Sequence, residues 1–424
     1  MPKNKCFLIF LAVTLSAWNA SGANPDSDPQ LLIEPTGFLT LADATALTLG
    51  LSPHLKPFSL QVNVQEAAAI QAAAYQNPEL SLEVENAYGD GPYHSRDAAE
   101  ETLSIGQTIE LGSKRRKRME VASLEIDMAN QAYQVQRMEV LSAVAKSFLE
   151  TVYAQEQLAY TEESLLMQQE IAAAQGERLK AGKLSESEVE IGRTALALAR
   201  IDAETARSMW QQAKQALAAH WGNPHPSFQE ASGSLAADAS LPDRESLRQG
   251  LKNNPMLLLA SQMIERQSSL MEYAEAERIP NLTAGVGVRR FRESGDHAMV
   301  FQMSIPLPLF NRNRGNIQQA QAELSKARAE QASAETRLES LFADRYEKLA
   351  AAYRETQAIQ ETVLPSAELS FRYANESYQL GKFSYLELKA AQATLLESRK
   401  KLLDAELRFH KAKVDLEILA GRSL

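Results

Sequence analysis

Two very long segments without helix breakers constrain what this chain can fold into. Residues 113–180 contain no proline and a single glycine, Gly176, over 68 positions. A second such segment, residues 315–380, contains one proline, Pro365, which predicts a kink or break in its helix. At a rise of 1.5 Å per residue, a continuous helix of the first length extends about 100 Å. Because this length exceeds the diameter of a small domain several times, a compact globule is excluded.

The first long segment also carries the apolar spacing of a helix packed against other helices. Apolar residues recur near heptad spacing with many alanines between them, which is typical of long helices lying side by side. They are Leu124, Met128, Val135, Met138, Leu141, Phe148 and Val152. A soluble coiled-coil scaffold is one interpretation of this pattern, but it leaves the next feature unexplained.

Four stretches of about ten residues alternate apolar with polar or small side chains. They lie at about 79–88, 101–111, 281–291 and 298–309, and Gly-, Pro- and Asp-rich loops join the members of each pair. Strict alternation predicts strands with two different faces. Strands of this length suit a tilted crossing of a bilayer, although a half-buried soluble hairpin gives the same pattern.

The number of strands determines how such a sheet could exist in lipid. Four strands cannot close a membrane barrel, and open edges would leave backbone groups without hydrogen bonds in the hydrocarbon layer. Closure therefore requires other chains. Two copies would give a narrow barrel of eight strands, and three would give twelve strands with room for a lumen.

The sequence indicates an internal two-fold repeat. Landmarks recur in the same order about 200 residues apart: Pro53 and Pro255, Pro78 and Pro280, Leu111 and Leu309, Gly182 and Gly381, and Gly222 and Gly421. We therefore divide the chain into a first repeat at 39–222, a linker at 223–240 and a second repeat at 241–424. Each repeat is expected to contain a short helix, two strands, a long helix and a returning helix.

Both long helices are followed by the same turn. Gly182 and Gly381 suit the position just after a helix, and each precedes an S-x-x-E capping box, Ser185 to Glu188 and Ser384 to Glu387. This pattern predicts that the chain reverses there into returning helices at about 185–219 and 384–420.

The N-terminus has the features of an export signal. Two lysines precede an almost unbroken apolar run at residues 6–18, and small residues follow at 21–23. We expect a signal peptide at 1–23 and an N-terminal extension at 24–38. Cys6, the only cysteine, would leave with the signal, so no disulfide is expected. No later stretch reaches 18 apolar residues, so no transmembrane helix is expected.

Three motifs resemble one family. Residues 76–80 (QNPEL), 107–115 (QTIELGSKR) and 306–313 (PLPLFNRN) resemble the TolC-like outer-membrane efflux family, and especially its CzcC-type branch of cobalt–zinc–cadmium and copper resistance. The likeness extends over about 38–421. It implies an α+β membrane protein: a homotrimer with four strands per chain in a twelve-stranded transmembrane barrel, continuous with a long α-helical barrel in the periplasm.

The resemblance also implies partners. In the family, the helical hairpin tips dock on a periplasmic adaptor protein, which connects the channel to an inner-membrane pump of the resistance-nodulation-division type. The matching tip positions are Gly182, Leu184, Ser185, Glu188, Gly381, Phe383, Ser384 and Glu387. Glu188, Tyr378 and Glu387 fall where polar links close the periplasmic mouth in relatives. Phe383 stands where an arginine partner can occur, which is a departure from that pattern.

A basic run directly follows the second strand. Lys114, Arg115, Arg116, Lys117 and Arg118 are expected to meet anionic outer-membrane lipids at about 1 kcal/mol each, with Arg312 and Arg314 in the matching place of the second repeat. A solvated charged face is the alternative. Nucleic acid is not an expected partner, because the chain carries 44 basic against 54 acidic residues, a net charge of −10.

No pattern indicates catalysis, a cofactor or a metal site. The six histidines show no metal-ligand spacing, and no catalytic motif is present. Together with these absences, the resemblance implies a trimeric outer-membrane channel that passively conducts small solutes, foremost heavy-metal cations, out of a tripartite efflux system. A channel for drugs or organic solutes, a type I protein-secretion channel and the soluble periplasmic scaffold are the alternatives.

Overall fold

The computed structural model describes residues 33–182, 184–236 and 240–421. The expected signal peptide at 1–23 and most of the N-terminal extension lie outside the described residues. So do position 183, part of the linker at 237–239 and the last three positions.

Helices dominate the first half of the chain, and two strands interrupt them. In order, the elements are β1 Phe38–Leu39, α1 Leu41–Leu51, α2 Lys56–Ala73, β2 Glu79–Glu85, β3 Glu100–Ile109, α3 Lys114–Lys180, α4 Glu186–Ala219 and β4 Glu230–Ala231. The single helix α3 therefore has the length that the proline-free segment predicts. None of the described helices is both long and apolar enough to cross a membrane.

The second half has a similar order of elements. It contains α5 Arg244–Gly250, a 3-10 turn at Leu251–Asn253, α6 Pro255–Ala276, β5 Leu282–Phe291, β6 His297–Ser304, α7 Arg314–Ala358, a π-helical turn at Ile359–Val363, α8 Leu364–Gln379 and α9 Tyr385–Leu419. The π turn explains how the chain accommodates Pro365 within this helical segment. It changes the hydrogen-bond register so that this proline lies in the first turn of α8, where a missing N–H donor costs little.

The long helices reverse at the turns that the capping boxes predict. Gly182 has φ 69° and Gly381 has φ 72°, which is the left-handed conformation that glycine adopts without strain. At the start of α9, the Ser384 hydroxyl accepts from the Glu387 N–H at 3.4 Å, and the Glu387 carboxylate accepts from the Ser384 N–H at 2.7 Å. Ser185 caps α4 in the same way.

The main sheet is antiparallel and has the order β2-β3-β5-β6. The β3–β5 pair, from Glu100 opposite Phe291 to Ile109 opposite Leu282, joins the two halves of the chain. β2 and β6 are its edges. β6 ends at Ser304, five residues short of the predicted end at 309, because Pro306 and Pro308 cannot donate to a ladder.

The two largest of four apolar clusters among the described residues lie among the helices, away from the main sheet. The first surrounds Phe148, Leu217 and Phe228 where α3 and α4 meet the linker, and the second surrounds Phe342 and Phe409 between α7 and α9. The sheet itself therefore contributes little to either core.

The linker is tied to the segment that precedes α1. β1 pairs in parallel with β4. The Glu34 carboxylate accepts hydrogen bonds from the Trp221 indole at 3.0 Å, the Asn223 amide at 2.5 Å and the Ser227 N–H at 2.6 Å. Although burial raises the pKa of Glu34, these bonds outweigh burial and lower it. The N-terminal segment is thereby fixed against the linker.

Candidate channel-forming surfaces

One face of the main sheet is apolar and exposed. The strand register brings its side chains into rows across all four strands: Leu82, Leu103, Val288 and Met299 in one row, and Leu80, Ile105, Val286 and Phe301 in the next. Each of these residues is between 40% and 80% exposed. A contiguous apolar patch of this kind is unfavourable in water and marks a contact with another apolar surface.

The opposite face is polar and built from small residues. Its rows include Ser81, Ser104 and Gly287, and next to them Gly106 and Gly285. A Cβ atom added at Gly287 would lie 2.7 Å from the Leu103 carbonyl oxygen, so a larger residue would displace the backbone there. The sheet therefore exposes its apolar side, the reverse of what a soluble half-buried hairpin does.

Carboxylates are concentrated on this polar face. Glu79, Glu83, Glu85 and Glu100 alternate with the apolar residues of β2 and β3. Arg289 forms ion pairs with Glu85 at 3.0 Å and with Glu100 at 2.9 Å. Glu79 and Glu83 form no ion pair within the described chain, so this face carries excess negative charge.

The basic run after β3 has partners within the chain. Arg115 donates to the Ala73 carbonyl at 2.7 Å, and Arg118 donates to those of Ala72 and Ala74 at 2.8 and 3.2 Å. These guanidinium groups therefore satisfy the last carbonyls of α2, where positive charge is favourable.

The other cations of the predicted lipid contact divide into two groups. Lys114 donates to Asn281 at 2.6 Å, and Lys117 pairs with Glu272 at 2.8 Å. Arg116, Arg312 and Arg314 are exposed and form no ion pair within the described residues. Contact with lipid headgroups stays a prediction. Arg115 and Arg118 also hold the C-terminal end of α2, which the sequence analysis did not foresee.

The two helical tips contact each other through an arginine that the sequence analysis missed. The Arg178 guanidinium, in the last turn of α3, lies 4.5 Å from the centre of the Tyr378 ring. It also donates to the carbonyls of Tyr378 and Gln379 at 3.3 and 3.5 Å. A basic residue in a last helical turn was the only available signal, and it does not specify a partner about 200 positions away.

The predicted tip and gate residues are placed as follows. Gly182, Ser185, Gly381, Phe383, Ser384 and Glu387 are exposed, whereas Leu184 and Glu188 are partly buried. The serine backbone N–H and hydroxyl groups lower the pKa of Glu188 and of Glu387, so both carboxylates already cap helices.

Tyr378 is only 7% exposed, and its hydroxyl has no hydrogen-bond partner among the described residues. Its ring lies 6.2 Å from the ring of Tyr385, whose hydroxyl accepts from the Gln168 amide at 3.0 Å. These contacts link α3, α8 and α9 just above the tips. No group of three or more His, Cys, Asp or Glu within the described ranges could hold a metal ion.

Comparison with known proteins identifies the family of this chain. The model of the family described as "Outer membrane efflux protein" matches residues 46–223 and 247–422. The chain belongs to this family. Its members are outer-membrane efflux channels, so this is an outer-membrane protein of a family without enzymatic activity. The predicted membership of the TolC-like efflux family is thereby confirmed.

Individual relatives support the same assignment. The chain is 30% identical to the cobalt-zinc-cadmium resistance protein CzcC of Cupriavidus metallidurans over 97% of this chain and 98% of that protein. It is 25% identical to the cation efflux system protein CusC of Escherichia coli over 62% of this chain and 60% of that one.

Solved structures match the fold. A structure of CusC gives a TM-score of 0.74 at 19% identity and covers 90% of this chain and 92% of that chain. The outer membrane protein VceC of Vibrio cholerae gives 0.72 at 19% identity, with 90% and 96% covered. The fold is therefore that of a TolC-like outer-membrane channel.

Proposed function

We propose that three copies of this chain form the outer-membrane channel of a tripartite efflux system and passively conduct small solutes, foremost heavy-metal cations, to the exterior. The observation that carries the proposal is the main sheet, with its exposed apolar face, its acidic polar face and two open edges. Lipid would cover the apolar face, and water would fill the space in front of the polar face.

Backbone hydrogen bonding supports an assembly of several copies. Within one chain, the edges β2 and β6 have no partner on their outer sides, and such edges are costly in hydrocarbon. Pairing β6 of one copy with β2 of the next closes a ring. Three copies give twelve strands, which leave a lumen, whereas two would give eight strands filled by side chains. Within each copy, we propose 39–222 and 241–424 as repeats joined by a linker at 223–240.

Two observations favour cations as cargo. Relatives carry names that assign them to cobalt, zinc, cadmium and nickel resistance. The polar face also carries Glu83 without an ion-pair partner within the described chain, and a ring of such carboxylates attracts cations and repels anions. Selectivity among metals would lie mainly in the pump and the adaptor.

The two tips are proposed as the adaptor-docking surface and the periplasmic gate. Their exposed side chains, Phe383 at 41% and the capping serines, lie beside the Arg178–Tyr378 contact. An adaptor that binds there could separate the two tips and so open the mouth. Of the expected gate residues, Tyr378 makes this contact directly, and Glu188 and Glu387 hold the helix starts.

The decisive experiment combines a bilayer recording with a sensitivity profile. Purified protein in planar bilayers should give stable, cation-preferring conductance. A strain lacking the chain should become sensitive to cobalt, zinc, cadmium, nickel or copper, with antibiotic sensitivity unchanged. Sensitivity to antibiotics alone, or loss of a secreted protein alone, would assign the channel to those cargoes instead. A protein that stays soluble without detergent and conducts nothing would be a scaffold.

A further inference from the structure

The two halves of the chain superimpose in strand register. Shifting β2 by 202 residues and β3 by 200 carries the β2–β3 pairing onto the β5–β6 pairing, so that Ser81 opposite Ser104 becomes Thr283 opposite Ser304. The shift of 200 also relates Ser113 and Asn313, which both have φ 59° and precede α3 and α7. Elements α2 and β2 therefore correspond to α6 and β5, and β3 and α3 correspond to β6 and α7.

Within the chain, β3 and α3 join β5 and α6, and α3 makes three of the side-chain contacts of this joint through Lys114, Lys117 and Gln131. The Lys114 ammonium donates to the Asn281 side chain at 2.6 Å. The Lys117 ammonium pairs with Glu272 at 2.8 Å. The Gln131 amide, further along α3, donates to the Pro255 carbonyl at 3.0 Å, at the start of α6.

By the same correspondence, α7 with β6 and α2 with β2 could form a second joint of this kind. They do not form one with each other within the described chain. None of the 18 residues of α2 is buried. Leu60, Val64 and Ile70 on this helix are 48%, 55% and 76% exposed. Strand β2, which follows α2, is an edge of the sheet, and so is β6, which precedes α7.

The shifts of 200 and 202 convert the three contacts of the joint into three complementary pairs. Lys114 with Asn281 becomes Arg314 with Glu79, which are oppositely charged and form no ion pair in the described chain. Lys117 with Glu272 becomes Ile317 with the exposed Ile70, so an ion pair is replaced by an apolar pair. Gln131 with Pro255 becomes Gln331 with Pro53, the same two residue types.

A further ion pair, between α6 and α3, is also replaced without a conflict. Arg266 of α6 donates to Glu125 of α3 at 2.7 Å. The corresponding residues are Val64 and Ser325, which carry no charge. No charged group is therefore left without a partner where this pair is lost, and burying such a group would be costly.

We propose that α7 and β6 of one copy dock on α2 and β2 of the next copy in the geometry of the chain's own α3–α6 joint. Arg314 then meets Glu79 of the next copy, Ile317 meets its Ile70, and Gln331 meets the carbonyl of its Pro53. This assignment rests on the proposed trimer and specifies the residues of its interface.

A cysteine pair tests the docking. Cys6 is the only cysteine and lies in the expected signal peptide, so introduced thiols would be the only ones in the mature protein. The double variant Ile70→Cys/Ile317→Cys, treated in outer-membrane fractions with a short bismaleimide, should give covalent dimers and trimers on a denaturing gel. The matched control is Ile70→Cys/Gln319→Cys, because Gln319 lies about 200° further around α7 at nearly the same height. It should stay monomeric.

The outcomes separate this interface from the proposed function. Trimers on a native gel, with conductance but without cross-linking of the Ile70/Ile317 pair, would overturn the interface and leave the channel standing. Equal cross-linking of the control pair would also overturn it. Absence of any trimer would overturn both proposals.

A charge exchange provides a second measurement that does not depend on thiol reactivity. Glu79→Arg and Arg314→Glu should each lower the temperature at which the trimer dissociates in detergent. Their combination should restore it, because the pair is reformed with its charges exchanged. Additive loss in the double variant would contradict a direct contact between the two side chains.

Discussion

At the scale of single residues, a buried carboxyl group under the linker has a strongly raised pKa. Glu406 of α9 is 5% exposed, and burial, together with the neighbouring Glu156, raises its pKa to about 7. The linker residue Leu235 lies close by, where its N–H donates to Glu156 at 3.2 Å and its carbonyl contacts the His410 ring at 2.9 Å. Burial lowers the pKa of His410. Lys413 is the nearby cation that acts on this histidine.

Replacing this carboxyl should make the protein more stable in mild alkali. Because the folded pKa of Glu406 lies above its ordinary value of 4.5, the protonated form contributes stability below about pH 4.5, and this contribution is lost as the pH rises through 7. Glu406→Gln should therefore raise the free energy of unfolding by about 2 to 3 kcal/mol at pH 8 and hardly change it at pH 4. Thermal unfolding at several pH values measures this difference. The exposed Glu376→Gln serves as the control, and equal melting curves for Glu406→Gln and the parent at pH 8 would contradict the prediction.

The contact between the two tips should depend on the planar guanidinium of Arg178. Arg178→Ala removes both the ring contact and the two hydrogen bonds to carbonyls, and a cation–ring contact at an exposed site contributes about 0.5 to 1 kcal/mol. We expect faster hydrogen exchange at residues 376–387 and a greater leak of large antibiotics into cells. Lys180→Ala, two residues further along at an exposed ion pair, is the control. Unchanged exchange and leak in Arg178→Ala would show that the contact does not hold the tips together.

At the scale of elements, patterns local in sequence predicted most of what the structure contains. Helix α3, the reversals at Gly182 and Gly381 and the alternation in the strands follow from propensity, backbone freedom and burial, which each short segment carries. The sequence could not place Arg178 on Tyr378, because that contact depends on how two distant helices pack. The alignment of Leu111 with Leu309 stays a prediction, because the β5–β6 ladder ends at Ser304, before Leu309.

The faces of the strands should respond differently to charge. Leu82→Lys places an ammonium group on the apolar face, and such a change costs about 2 to 4 kcal/mol near the middle of a bilayer. The yield of heat-resistant trimers in the outer-membrane fraction should fall sharply. Ser81→Lys, one residue earlier and on the polar face, should leave the yield close to that of the parent. Equal yields for the two variants would mean that lipid does not contact the apolar face.

At the scale of the whole assembly, the acidic face of the sheet should determine the preference for cations. In a trimer, Glu83 is present three times at one level of the lumen, and each copy is free of ion pairs within the described chain. Glu83→Gln should lower the ratio of cation to anion permeability, and Glu83→Lys should lower it further, as measured by reversal potentials across a salt gradient. The graded pair separates charge from side-chain size. Identical ratios in all three proteins would locate the selectivity elsewhere.

The exposed apolar rows of the sheet also determine when the chain can complete its folding. Their side chains have no stable surroundings in water, whereas the cores around Phe148 and Phe342 are closed by helices of the same chain. A newly exported molecule can therefore fold its helical portion before it meets other copies of the chain. Its strands, in contrast, need a chaperone until they reach a bilayer. The last step of folding is thus coupled to membrane insertion. A shortage of insertion sites would leave partly folded, aggregation-prone subunits in the aqueous space between the two membranes.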